Sequence, residues 1–297
     1  MTALLLIVSL FLHSARPADQ YSVWKTFAVT RADDSIFAAR IAEAHAEHLE
    51  QLPIGERIVA MGKLFLGTPY VAGTLDTNAN AENLIVDLRG LDCVTFYENT
   101  LALARIIRKY SSPTVADYER ELVFLRYRNG KMAGYHSRLH YTIDYFYNNQ
   151  QKGVFRIVTK DAGGQYAKYD DRAINFMTSH RASYKQLATN NAEYAALLEI
   201  ENDIHARKGF YYIPKGDIPK IEQNISTGDI LGITTNIPGL DCSHTGIAVR
   251  MPDGRIHFMH ASSLKGNVII SEEPLADYLT HSSHQTGIII ARPLEVK

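Results

Sequence analysis

Behind Cys93 the chain runs Val94-Thr95-Phe96-Tyr97-Glu98-Asn99-Thr100-Leu101-Ala102-Leu103-Ala104-Arg105-Ile106-Ile107, with no glycine or proline and with apolar residues at helical spacings. Such a run is satisfied as a buried helix inside a layered fold. The chain enters it through the turn at Arg89-Gly90, so Cys93 stands at or near a helix N-terminus. Unpaired N–H groups and the positive end of the macrodipole favour thiolate over thiol at that position. The same N–H groups can receive an oxyanion.

The tetrapeptide that ends in this cysteine, Gly90-Leu91-Asp92-Cys93, recurs as Gly239-Leu240-Asp241-Cys242, and the two copies hold both cysteines of the chain. Cys242 precedes Ser243-His244-Thr245-Gly246-Ile247-Ala248-Val249-Arg250, a β-rich run with no helix behind it. No helix dipole acts there, and its near neighbour His244 need not point at the same reacting atom. This assigns Cys93 as the nucleophile, His244 as its base from across the fold, and Cys242 as a bystander. The competing readings are two small buried hydrophobes or a Cys93–Cys242 disulfide. Without CxxC or HExxH spacing, no metal site is expected.

Helical periodicity also covers Asp33 to about Leu52, where Pro53 ends it, and Ile54 to Phe65. Gly67-Thr68-Pro69-Tyr70-Val71-Ala72-Gly73-Thr74 is a turn or irregular loop, and Leu84–Leu88 is apolar enough for a strand. In the middle, Tyr118–Arg128, Arg138–Tyr147 and Asp171–Met177 read as helices and Val154–Val158 as a strand, with Gly163-Gly164 marking a turn. Tyr135, Arg138, His140, Tyr141 and Asp144 gather hydrogen-bonding groups suited to a polar substrate, although aromatic stretches more often serve a core. After Pro219 five short strands follow: Ile230–Ile233, Thr245–Arg250, Arg255–His260, Val268–Ile270 and Gly287–Ala291. Helices first and an antiparallel sheet last make an α+β pattern.

Composition narrows the function classes. The 297 residues are 46% hydrophobic and 21% charged, with formal net charge -1 and a sequence pI of about 6.9. That is a globular chain with no global field for nucleic acid or anionic membrane, so neither is an expected partner. Met1 to Ala15 carries a short apolar core followed by small residues, which predicts a signal peptide over 1–18 and export. The mature chain, 19–297, is then one cysteine-hydrolase domain, with a core at about 54–110 and 219–297 and an insertion at about 111–218.

A cysteine nucleophile needs a base, and the base needs a partner that orients it. A hairpin from His244 to His260, turning at Asp253-Gly254, would set the second imidazole beside the first and fix its tautomer. The motifs Gly67-Thr68-Pro69-Tyr70, Leu91-Asp92-Cys93, Gly228-Asp229-Ile230-Leu231, His244-Thr245-Gly246-Ile247-Ala248-Val249 and His260-Ala261-Ser262-Ser263 resemble, in order, the NlpC-type cell-wall cysteine hydrolases. Val94-Thr95 after the cysteine and Arg138-Leu139-His140-Tyr141 are similar to the narrower N-acetylmuramoyl-L-alanine amidase-like branch.

The resemblance implies a papain-like fold, with the nucleophile's helix packed on an antiparallel sheet. It implies Cys93, His244 and His260 as nucleophile, base and orienting residue, with Tyr70 near the scissile carbonyl. Asp92 is a substrate-binding candidate beside Tyr135, Arg138, His140 and Tyr141, or else a helix cap. The implied reaction is cleavage of the amide between N-acetylmuramic acid and L-alanine through an acyl enzyme, with no cofactor. The implied partners are peptidoglycan fragments (muropeptides), met by a monomer without stable membrane insertion, in the periplasm or outside a bacterium. Cleavage between D-glutamate and the diamino acid, and muropeptide binding without catalysis, are the alternatives.

Overall fold

A computed structural model describes residues 31–76 and 81–296, so the expected signal peptide lies outside the described residues. Helices dominate the first half: α1 (Arg31–Ala46), α2 (Ile54–Lys63), α3 (Cys93–Lys109), α4 (Val115–Arg126) and α5 (Thr142–Gln151). Then come β1 (Phe155–Ile157), α6 (Thr159–Gly163), β2 (Lys168–Asp170), α7 (Phe176–Ser179), α8 (Lys185–Thr189), α9 (Asn191–Ala206), β3 (Phe210–Pro214) and α10 (Ile218–Ile221). The C-terminal part adds β4 (Ile230–Thr235), β5 (Cys242–Arg250), β6 (Ile256–Ser262), β7 (Asn267–Ile270), α11 (Leu275–Tyr278) and β8 (Gln285–Pro293).

These strands form one antiparallel sheet in the order β2-β3-β8-β4-β5-β6-β7, with β1 also paired to β8. The result is a mixed α+β fold. Each of the five expected C-terminal strands lies within β4 to β8, apart from Arg255, which just precedes β6. The middle segment also supplies β1, β2 and β3 to the same sheet.

The sheet is covered on both faces. On one, Phe96, Leu101, Leu103 and other α3 residues pack with Ile247, Val249, Met259 and Ala261. On the other, Leu231, Ala248, Phe258 and Ile290 pack with Ile218, Leu275 and Leu279. Every residue of β6 is therefore buried, as a strand between two apolar layers requires. α3 lies against β5 and β6, and it is buried from Thr95 through Ile107. A third cluster, with Tyr135, Tyr141, Met177, Leu197 and Ile204, anchors the middle segment.

Four expected elements differ, each for a local reason. The first helix stops at Ala46, and His48 is left-handed at φ 55° before a 3-10 turn at Leu49–Gln51. Leu84–Leu88 forms no strand; Leu88 N–H donates to Asp33 Oδ1 (2.9 Å), and the Ile85 carbonyl accepts from Arg126 Nη1 (2.8 Å). Side chains there satisfy backbone groups that a neighbouring strand would otherwise take. The helix expected from Arg138 begins at Thr142, because Arg138 is bridged to Tyr127 and Leu139 N–H donates to the Arg126 carbonyl. That expected from Asp171 begins at Phe176, where the N–H groups of Asn175 and Phe176 both donate to the Gly239 carbonyl.

Between α3 and α4, buried Glu121 accepts from Arg105 and Lys109, each at 2.5 Å. Glu121→Ala strands Arg105 and is expected to lower unfolding free energy by about 3 kcal/mol, read as a shifted urea midpoint at constant slope. A midpoint unchanged from wild type would show that this ion pair does not hold the two helices together.

Candidate active site

The first turn of α3 is fixed by a reciprocal cap. Asp92 Oδ1 accepts from Thr95 N–H and from Thr95 Oγ1, both at 2.8 Å, and Asp92 N–H donates to Thr95 Oγ1 (2.9 Å). Cys93 is thereby held as the first helical residue. Ahead of it, Leu91 N–H donates to the Pro69 carbonyl (2.9 Å) and Val71 N–H to the Leu91 carbonyl (3.1 Å). Gly90 permits this approach, since a Cβ there would lie 2.4 Å from the Val71 side chain. Tyr70 is thus carried to the start of α3, where burial, then Cys93 and Asp92, push its phenol up.

Cys93 keeps partial exposure, and its sulfur lies toward Thr245 of β5. Burial and then the Asp92 carboxylate push the thiol up to about 11, against the hydroxyl and N–H of Thr245 and the N–H of Cys93 itself. The sequence expectation of a thiolate at rest is corrected. Partial helix-terminal charge is outweighed by desolvation beside a carboxylate. Thr245 Oγ1 is buried and faces the Cys93 sulfur, so its proton is directed at a developing thiolate.

His244 and His260 share one face of the β5–β6 hairpin, and His244 Nε2 stands 2.7 Å from His260 Nδ1. Placing the bridging proton on His244 Nε2 leaves His244 Nδ1 as a free acceptor. His260 is fully buried, with the Phe258 ring stacked on it (4.6 Å, 21°) and Tyr278 5.1 Å away. Gly246 makes room for that stack, because a Cβ there would lie 2.7 Å from Phe258 and 2.6 Å from the Met259 carbonyl. Burial lowers His244 to about 4; burial and then His244 lower His260 to about 3. Both imidazoles are neutral at pH 7.

Beside this turn of α3 lies a cavity of about 200 Å³ that Asp92 and Val94 border. Tyr135, Arg138, His140 and Tyr141 line it too, so the structure brings these four candidates into one place with Asp92. Arg138 pairs with Asp76 (2.5 Å) and lies over the Tyr135 ring at 4.8 Å. His140 Nε2 donates to the Tyr135 carbonyl (2.8 Å), and burial, then Arg138, lowers its pKa well below the usual value. Tyr141 differs, since its hydroxyl donates to Glu201 (2.7 Å) and accepts from Met177 N–H (2.8 Å), leaving only the ring for a ligand. Asp144 is held instead by Arg128 and Arg207 and does not line the cavity.

Sequence reasoning passed over Asp76, Glu98, Arg126 and Tyr184 on the cavity wall, and Thr245 and Tyr278 near the sulfur. Only Glu98 left a signal: it falls one helical turn beyond Val94, on the same side of α3. Both cysteines are free; Cys242 is buried, and its thiol is pushed well above the usual value by burial, then Asp241. Asp241 in turn accepts from Ile143 N–H at the start of α5 (2.8 Å). Among the described residues no cluster of ligating side chains could hold a metal ion.

Residues 60–288 match the family described as N-acetylmuramoyl-L-alanine amidase-like. The crystal structure of an N-acetylmuramoyl-L-alanine amidase from Bacteroides uniformis is 34% identical, covering 82% of this chain and 99% of its own, with a TM-score of 0.74. A Bacteroides fragilis protein, described provisionally as a xylanase, is 35% identical over 78% of this chain and 98% of its own, with a TM-score of 0.70. A Legionella pneumophila protein of the DUF1460 family shares the fold at 23% identity and a TM-score of 0.64, over 89% of this chain and 94% of its own. No curated protein matches.

Two measurements follow from the protonation states. Alkylation of Cys93 by iodoacetamide should be slow at pH 7 and still rising above pH 9; a plateau below pH 8 would contradict the raised thiol. The two imidazoles titrate below their ordinary value near 6.5, so their neutral forms stabilise the fold above that pH. That contribution, on the order of 2–4 kcal/mol, is lost as pH falls from about 6.5 through about 4. Urea midpoints should drop over this window in wild type and drop less in His260→Gln.

Proposed function

The chain belongs to the N-acetylmuramoyl-L-alanine amidase-like family, and from that premise we propose that it is an exported cysteine hydrolase of peptidoglycan fragments, papain-like in its core. It cuts the amide between N-acetylmuramic acid and L-alanine. The observation that carries this reading is the neutral His244–His260 pair at 2.7 Å, with His244 on β5 next to Thr245, the residue that lies against the Cys93 sulfur.

Because the thiol is protonated at rest, its proton leaves as the sulfur attacks. His244 Nδ1 accepts it, and the imidazolium so formed keeps its Nε2–H on His260 Nδ1. Cys93 N–H, unpaired at the helix start, and the Tyr70 hydroxyl stabilise the oxyanion on the former carbonyl. As the tetrahedral adduct collapses, the carbon–nitrogen bond breaks and His244 protonates the leaving alanine nitrogen. Water enters, His244 takes one of its protons, and the thioester is hydrolysed to free muramic acid and thiol. Every step is acid–base or nucleophilic, and each residue named supplies a proton site or a hydrogen-bond donor. Asp92, whose Oδ1 is engaged by Thr95, acts here as the cap that aims Cys93.

Digestion of a defined muramoyl peptide should release a peptide beginning with alanine, identified by mass spectrometry. Cys93→Ala and His244→Ala should each lower kcat/KM by about a thousandfold or more, and His260→Ala by about ten- to a hundredfold. Cleavage after D-glutamate instead would make the protein an endopeptidase. Binding of the muropeptide with no cleavage by wild type would make it a binder.

A further inference from the structure

The cavity beside α3 carries a charge arrangement that the proposed reaction does not use. Its acidic side chains are Asp76, Asp92 and Glu98, and its cations are Arg126 and Arg138. Most are committed. Asp92 Oδ1 holds Thr95, Glu98 accepts from Arg126 at 2.8 Å within a fully buried pair, and Arg126 also donates to the Ile85 carbonyl. Nearby Glu82 accepts from the Tyr127 hydroxyl at 2.8 Å.

Arg138 is different. Its side chain is 7% exposed, its Nε is buried with no hydrogen bond, and Glu82 Oε1 stands off at 3.4 Å. Its close partner is Asp76, whose own side chain is 47% exposed. A buried guanidinium thus rests on a carboxylate that water reaches freely, and such half-exposed pairs are weak and exchangeable. The guanidinium carbon also lies over the Tyr135 ring, 4.8 Å from its centroid, a contact that holds the group in place. A fixed planar fork is shaped for a carboxylate.

The cavity already holds more acidic than basic groups, so an additional anion would be repelled. A ligand carboxylate that takes Asp76's place on Arg138 turns Asp76 out into the water that already reaches its side chain, and the guanidinium keeps one anionic partner. We propose that Arg138 receives the free α-carboxylate of the acidic stem residue that follows alanine, and that Asp76 keeps that place until substrate displaces it. Stems with this carboxylate amidated are then discriminated against, because an amide cannot replace Asp76 without leaving the guanidinium underpaired. This inference rests on the amidase reading for the identity of the stem, and on the side chains at the cavity for its chemistry.

The test is calorimetric binding to full-length Cys93→Ala protein, with L-Ala-γ-D-Glu-L-Lys as one probe and its glutamate α-amide as the other. The free acid should bind about tenfold or more tighter. Asp76→Asn, a change at an exposed side chain, should tighten the acid about two- to fivefold and leave the amide unchanged. Arg138→Lys should erode the preference, raising KM for the muramoyl tripeptide more than it lowers kcat. Equal affinity for acid and amide, or weaker acid binding in Asp76→Asn, overturns the proposal. Since binding needs no turnover, discrimination without muramoyl–alanine cleavage by wild type would sink the amidase reading and leave the carboxylate site standing.

Discussion

The capped first turn of α3 is the constraint on which the rest depends. Asp92 and Thr95 exchange hydrogen bonds across that turn, and the helix behind them is buried from Thr95 through Ile107 against β5 and β6. A helix so placed cannot rotate or slide without opening the core, so Cys93 is fixed in position relative to Thr245 on the strand it faces. The β5–β6 hairpin then brings the two histidines together, and glycine at 246 admits the aromatic stack behind them. The cavity walled by Arg138 lies along the same turn. Cys93, the imidazole pair and the cleft are therefore referred to a single helix end.

Much of this was legible in the chain. The unbroken apolar run after Cys93 announced α3, and the β-rich runs after Pro219 announced five strands to within three residues at each end. Periodicity served well there because both elements are regular and deeply buried. It failed where backbone groups are satisfied by side chains from afar. Asp33 and Arg126 hold Leu84–Leu88 extended, and the Gly239 carbonyl holds the approach to Phe176. The clustering of Tyr135, Arg138 and His140 followed from sequence proximity. Asp76 and Arg126 were not legible as their neighbours, because long-range packing alone brings them there.

Electrostatics altered the chemical picture more than the fold did. A helix N-terminus by itself favours a thiolate, yet desolvation beside Asp92 reverses the sign, and the two histidines are equally reluctant to charge. At pH 7 the Cys93 thiol and the two imidazoles are therefore all neutral groups. The two Gly-Leu-Asp-Cys segments illustrate how context divides identical residues. Each aspartate caps a helix, Asp92 its own and Asp241 that of α5, but Cys93 stands at a helix start with partial exposure while Cys242 is packed against Gly232.

Intact-protein mass spectrometry of wild type quenched in acid during turnover of a muramoyl peptide is the most direct test of the cysteine amidase. The account predicts a hydroxylamine-labile adduct with the mass of the muramoyl acyl group, mapped by peptide digestion to Cys93 and absent from Cys93→Ala. An adduct that carries the stem peptide instead, an adduct on Cys242, or continued turnover by Cys93→Ala would contradict it.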